Sequence, residues 1–518
     1  MNMAEGAENL DSMGGTDNDR RDMSRMGKAQ LLKRIHRPTA AVSFAAVVQS
    51  TWEFLLISCS EGLSNGGLAG LFWSNVWTFV GFGVVVISLA EMASMAPASG
   101  GQYHWVSIFA PSRYQKFLSY FTGWMSVLAW QAGAASGSFL TGTIIQGLIT
   151  VNHPKYKPTQ WQGTLFVFAM VIVIYIFNVY AAKWMPRIQN LLLVLHVLGF
   201  AVVTATLWAM SPRQPARNVF TEFTSTDGWS NMGVSLMVGQ ISAIYACLSS
   251  DATAHMAEEV KDASKYVPIA IAWGFVGNGF VAIILLITFL FAMPSVEDAL
   301  NDASGFPFIY VFRQAVSTHG VNALTSLILL PVIASNILFN ASTARQTFAF
   351  AHDGGLPFGT WISAVHPTRK IPVNAIGLSC LISVVLSLIN IGSSTAFNAI
   401  ISLNVAALMF TYAISIGCVL HRRLTDPESL PPARWSLGRM SVFVNATALV
   451  YVLFALFWSF WPGSPKVDLD TFNWSVVIFG AVAVLSVVMY FFKGRNQYEG
   501  PVVRMMQSGR GEQFWWRT

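Results

Sequence analysis

Twelve apolar stretches recur along this chain of 518 residues, each long enough to cross a bilayer as a helix. They cover 40–64, 68–93, 117–150, 161–181, 189–210, 232–257, 268–293, 321–344, 373–391, 397–420, 441–461 and 474–492. Within lipid every backbone N–H and C=O must find its partner inside the protein, so such stretches fold as helices. Only 11% of the residues are charged, where soluble domains carry about 25%. That scarcity excludes an ordinary soluble enzyme, a disordered chain and a disulfide scaffold, because the charges cannot cover the apolar surface.

Most of the charge lies between the apolar blocks, where it orients the chain. With the amino terminus in the cytosol, the inner segments collect roughly 25 of the 31 Lys and Arg residues and the outer ones about six. Both termini are therefore expected inside, at the plasma membrane. The division expected is a disordered cytosolic tail over 1–38, a membrane domain over 39–492 and a cytosolic tail over 493–518. Basic residues scattered between apolar blocks make no nucleic-acid footprint. Cys59, Cys247, Cys380 and Cys418 all sit in apolar stretches without metal-ligand spacing, and read as reduced, small apolar residues. There is no Walker A loop, paired metal motif or nucleophile elbow, so no enzyme, cofactor or metal is expected.

Two stretches are interrupted by polar residues. The first passes through Gln49, Ser50, Thr51, Trp52 and Glu53, and the sixth through Ser249, Ser250 and Asp251. They stand five helices apart, which is the pattern of an inverted-repeat carrier whose broken helices hold the substrate at mid-membrane. An acid at the centre of a spanning helix costs about 2.5–3.5 kcal/mol, so Glu53 and Asp251 need a reason to be there.

Three motifs carry a family resemblance: SLAEMASMAPASGGQYHW over 88–105, HMAEEVKDASKYVPIAI over 255–271 and ASTARQTFAFAHDGGLPF over 341–358. In these the chain resembles the amino acid–polyamine–organocation permeases, most nearly the fungal amino acid/choline transporter group with its GABA and choline permeases. The resemblance covers about 38–500. It implies an all-α fold of twelve transmembrane helices, a five-plus-five inverted repeat, and helices 1 and 6 broken around the substrate. One departure stands out. Where many relatives carry a glycine-rich stretch for a substrate carboxylate, this chain has Gln49 to Phe54, with Trp52 and Glu53 and no glycine.

On this reading Glu53 repels a carboxylate and favours a cationic headgroup, with Trp52 beside it for a cation–π contact. Its other reading is a protonated carboxyl that serves proton coupling. Asp251 is a candidate for substrate or proton, or a cap on the second half of helix 6. Tyr245 and Ser249, and Trp130 and Gln131 on helix 3, are candidate pocket residues. His196, the only ionisable group in helix 5, is a candidate for proton coupling. Ser335 and Asn336 on helix 8 have the chemistry of a cation site, and Tyr412 is a candidate outer gate. The function expected is proton-coupled import of a small amino acid or amine such as choline, GABA or a polyamine. The alternative is a nutrient sensor with the same fold and little flux. The partners expected are that substrate, bilayer lipid and a coupling proton, with the chain a monomer or weak oligomer.

Overall fold

The computed structural model describes residues 14–28, 30–392, 396–468, 471–498 and 500–501. Among them are twelve helices long and apolar enough to cross a membrane, in the expected order. They are span 1 (Pro38–Ser64), span 2 (Gly67–Met95), span 3 (Gln115–Asn152), span 4 (Gln160–Tyr180), span 5 (Ala182–Met210) and span 6 (Met232–His255). Span 7 (Ala263–Ala292), span 8 (Thr318–His352), span 9 (Val373–Ile391), span 10 (Asn398–Thr425), span 11 (Gly438–Ser459) and span 12 (Ser475–Gln497) follow.

The packing repeats with an offset of five. Span 1 lies on span 7 as span 6 lies on span 2, span 3 meets span 10 as span 8 meets span 5, and spans 2 and 7 and spans 3 and 8 pair with each other. That is the contact pattern of two related halves. Small residues make the close contacts possible, since lipid gives helices no hydrophobic reason to associate. The run Gly133 to Ser138 on span 3 is entirely buried. Span 12 is peripheral, with large side chains such as Phe491 and Phe492 turned outward.

The two ends of the bundle differ. One, here the basic end, carries the amino-terminal segment and the loops after spans 2, 6, 8 and 10. Spans 3 and 8 extend into two of those loops, and a short helix, Gln102–Phe109, fills the first. The carboxyl-terminal boundary at 492 is also too early. The helical path continues to Gln497, and Tyr498 is buried with its hydroxyl 2.7 Å from Ser119 Oγ.

The amino-terminal segment corrects a composition-based expectation. Residues 1–13 lie outside the described residues, but from Gly14 onward the segment is folded. Thr16 opens the helix Asp17–Arg25 with a capping box closed by Asp19. Asp19 also accepts the backbone N–H groups of Asp262 (2.9 Å) and Ala263 (3.0 Å), and so caps span 7 from a distant part of the chain. Arg34, buried, pairs with Asp19 at 3.2 Å and donates to the carbonyls of Ala257 and Val260. His36 pairs its backbone with Glu259 and Lys261. Composition counted these charges as solvated. Here they satisfy the exposed backbone of the turn between spans 6 and 7.

This clasp has a pH dependence. Burial pushes His36 down from 6.5 to about 4, so the packed imidazole is neutral. Between those values a detached segment binds a proton that the packed one refuses. Clasp stability is therefore complete above about pH 6.5 and falls as pH drops toward 4, by roughly 3 kcal/mol at most. Hydrogen exchange of residues 17–25, corrected for intrinsic rate, should accelerate from pH 7 to pH 5. The acceleration should vanish in His36→Phe.

Candidate functional site

Both predicted breaks are present. In span 1 the helix Pro38–Gln49 ends at Ser50, whose φ of 38° is left-handed, and a new helix Thr51–Ile57 begins at once. Side chains take carbonyls at the break: that of Val47 is taken by Ser50 Oγ (2.7 Å) and that of Val48 by Ser335 Oγ (2.6 Å), while that of Ala46, already bonded by the Ser50 N–H, also accepts from Asn278 Nδ2 (3.0 Å). In span 6 the helix Ile241–Cys247 gives way to extended Leu248 and left-handed Ser249 (φ 70°), and helix resumes over Ala252–His255. Ser250 Oγ bonds the Cys247 carbonyl at 2.9 Å and Ser342 Oγ that of Ala252 at 3.1 Å. Hydroxyls thus replace the missing helical bonds, which lets irregular backbone exist at this depth.

A small cavity of about 20 Å³ lies between the breaks, room for about one water. Gln49 and Phe54 of span 1 and Tyr245 and Ser249 of span 6 face it, with Ser136 of span 3 and Asn336 of span 8. Its aromatic wall is Phe54, Tyr245 and Phe339; its polar groups are amides and hydroxyls, and among the described residues no carboxylate or cation lines it. Tyr245 and Ser136 share a hydrogen bond of 2.9 Å, and the Tyr245 and Phe54 rings meet edge to face. The wall depends on two glycines. A Cβ on Gly137 would stand 2.6 Å from Asn336 Oδ1, and one on Gly133 2.4 Å from Phe339 Cζ.

Of the sequence candidates, Tyr245, Ser249, Ser335 and Asn336 line this cavity. Glu53 and Trp52 do not. They follow the break on the side opposite Phe54, fully buried, where Glu53 Oε1 meets His196 Nδ1 of span 5 at 2.7 Å. The Trp52 ring lies 5.9 Å from the His196 ring, and Glu53 Oε2 has no hydrogen-bond partner. Helical turn explains this: successive residues point about 100° apart, so neighbours in sequence serve different faces. Two residues singled out separately, Glu53 and His196, thus form one buried pair.

Asp251 also lies off the cavity wall. It accepts from Gln102 Nε2 (2.5 Å) and the Tyr412 hydroxyl (2.8 Å), with His255 Nε2 at 3.7 Å, all buried. Tyr412 is therefore part of a seal toward the basic end, not an outer gate. Trp130 packs edge-on against His255 at 4.6 Å, and Gln131 donates to Thr347 and Ser379, each at 3.0 Å. Neither faces the cavity. Below this level the ion pairs Arg345–Glu259 (2.8 Å) and Lys28–Glu258 (3.1 Å) and the bond from Tyr103 to Asp353 (3.0 Å) close the basic end.

Gln49, Phe54, Ser136 and Phe339 are cavity residues that the sequence reading did not select. The signal for Gln49 was the break itself; nothing in sequence marks the face of span 3 or span 8. At the opposite end the bundle opens into a vestibule whose wall includes Ile57, Phe139 and Ser242. These lie about one turn beyond Phe54, Ser136 and Tyr245, so that trio is the floor of the vestibule and the roof of the cavity. Among the described residues no cluster of three or more His, Cys, Asp or Glu side chains could hold a metal.

The amino acid permease family model matches residues 39–484. A Macrophomina phaseolina protein, provisionally described as an amino acid/polyamine transporter, is 30% identical over 84% of this chain and 96% of its own. The choline transporter of Saccharomyces cerevisiae is 28% identical over 87% of this chain and 79% of its own. Among solved structures, a manganese transporter of Eremococcus coleocola aligns with a TM-score of 0.52 and 11% identity. That alignment covers 91% of this chain and 95% of the other, a likeness of fold.

Proposed function

Because this chain belongs to the amino acid permease family, we propose that it imports a small zwitterionic amino acid through the cavity between spans 1 and 6, driven by a coupled proton. It is a membrane transporter of amino acids or amines, not an enzyme. The observation that carries the finer reading is the neutrality of the cavity wall. A net cation placed there has no counter-charge, and burying an unpaired charge is costly. A zwitterion brings its own counter-charge, and Ser50 and Ser249, both left-handed, interrupt the helices beside the cavity. Charge thus moves the reading away from the cationic amine that Glu53 suggested. The basic end faces the cytosol, by the distribution of Lys and Arg.

Proton coupling is assigned to Glu53 and His196. Phe54 faces the cavity and Glu53, one residue earlier on the same short helix, faces His196. A substrate that moves Phe54 therefore moves Glu53, and a proton that loosens the pair acts back on the cavity.

A second reading is favoured by one feature. Phe54, Tyr245 and Phe339 could box a quaternary ammonium such as choline, each face contributing a cation–π contact of about 0.5–2 kcal/mol. Counterflow in proteoliposomes with labelled alanine, GABA, choline and arginine decides between them. Exchange of alanine or GABA is expected. Choline exchange without amino acid exchange overturns the zwitterion reading, and binding without any exchange favours a sensor.

A further inference from the structure

The vestibule at the end opposite the basic one has a volume of about 590 Å³, within the range of ligand sites. Four separate parts of the chain build its polar side. Span 1 brings Glu61, the loop before span 6 brings Asp227, span 10 brings Asn398, and the end of span 11 brings Trp458 with Trp461 beyond it. Among the described residues no Lys, Arg or His lines the cavity. Each carboxyl is instead held by a neutral amide: Glu61 Oε1 by Asn398 Nδ2 at 2.5 Å and Asp227 Oδ2 by Asn65 Nδ2 at 2.7 Å. An amide orients a carboxylate without cancelling its charge. The Trp458 and Trp461 rings lie 5.0 Å apart, and Phe306 and Phe472 complete an aromatic wall.

Two oriented carboxyls and several aromatic rings lining one recess are an arrangement for a cation with an apolar body. Low-dielectric walls focus such a field and raise the local concentration of the matching ion by 10- to 1,000-fold. Indole faces then hold an ammonium or alkylammonium group where the anions have drawn it. We propose that the vestibule is a separate outer binding site for small organic ammonium ions. It stands one floor above the central cavity, with the Phe54–Tyr245–Ser136 roof between. The two sites differ in chemistry: the outer one carries two carboxyls, whereas amides, hydroxyls and rings line the inner one.

The site can be probed without any transport step. Thr143 lines the vestibule, and the four native cysteines are buried, so Thr143→Cys supplies a single reporter thiol. Purified protein would be treated with the cationic 2-aminoethyl and anionic 2-sulfonatoethyl methanethiosulfonates, with rates referred to those of a free thiol. The expected cation-to-anion rate ratio is about 10 or more, falling toward one in the Glu61→Gln/Asp227→Asn background. Tetramethylammonium is expected to slow modification by the neutral methyl reagent at least threefold, and to lose that effect in Trp458→Ala. A ratio near one in the Thr143→Cys parent overturns the proposal. So does a strong ratio without tetramethylammonium protection, which is a field without a site. The protection arm needs no carboxyl variant, so it decides the matter even if the double variant does not fold. Failure of the central-cavity reading would leave these thiol rates unchanged.

Discussion

Glu53→Gln is expected to abolish proton-driven accumulation while leaving exchange of substrate across the membrane within about threefold of the parent. The geometry is specific about why. Glutamine keeps the size of the side chain and can still bond His196 Nδ1, now 2.7 Å from Glu53 Oε1, but it cannot carry the proton. Both partners are buried, and the second carboxyl oxygen has no hydrogen-bond partner among the described residues. With one proton per substrate, a gradient of two pH units supports about 100-fold accumulation, since each unit is worth about 1.36 kcal/mol. In the Gln variant the ratio should fall toward one. His196→Gln should do the same, and the double variant should be no worse than either single one, because the residues act as a unit. If Glu53→Gln vesicles still concentrate substrate near 100-fold, the pair is structural and coupling lies elsewhere.

Gly137→Val is expected to cost at least about 100-fold in substrate affinity, about 2.7 kcal/mol, with the protein still folded. Even the first added carbon would stand 2.6 Å from Asn336 Oδ1, and that Asn336 side chain is also held to Ser138 Oγ at 3.1 Å. Relief requires either losing that bond or pushing spans 3 and 8 apart, and both disturb the cavity wall. Overpacking of this kind costs about 1–3 kcal/mol of stability, which a large membrane bundle survives. Gly277→Ala is the matched control. It has nothing within 4 Å of the new carbon, and should bind normally and melt no earlier than the parent. Binding by Gly137→Val within tenfold of the parent would mean that substrate sits away from this wall.

The breaks were legible in sequence because polar residues inside a lipid-spanning stretch are costly wherever they point. Ser50 and Ser249 are where the helices unwind, as QSTWE and SSD indicated. The direction of a side chain was not legible. In a soluble helix the apolar stripe marks the core, but here lipid and core are both apolar, so Trp52, Phe54 and Trp130 look alike in sequence. Chemistry made Glu53 and Asp251 conspicuous, and composition then placed both in the pocket. One instead faces His196 and the other Gln102 and Tyr412. The amino-terminal clasp was hidden for a related reason. Its partners, the backbone of residues 257–263, lie more than 200 positions away, and a paired charge and a solvated one are written with the same letter.

The sequence by itself determined the twelve spans, their order and the two interruptions, because the cost of putting polar groups into lipid acts locally and can be read residue by residue. Tertiary structure decided which acids meet the cavity, which pair with histidine or seal the basic end, and which face an open vestibule. Those outcomes depend on what each side chain finds opposite it, and in this bundle the opposing group comes from a distant part of the chain.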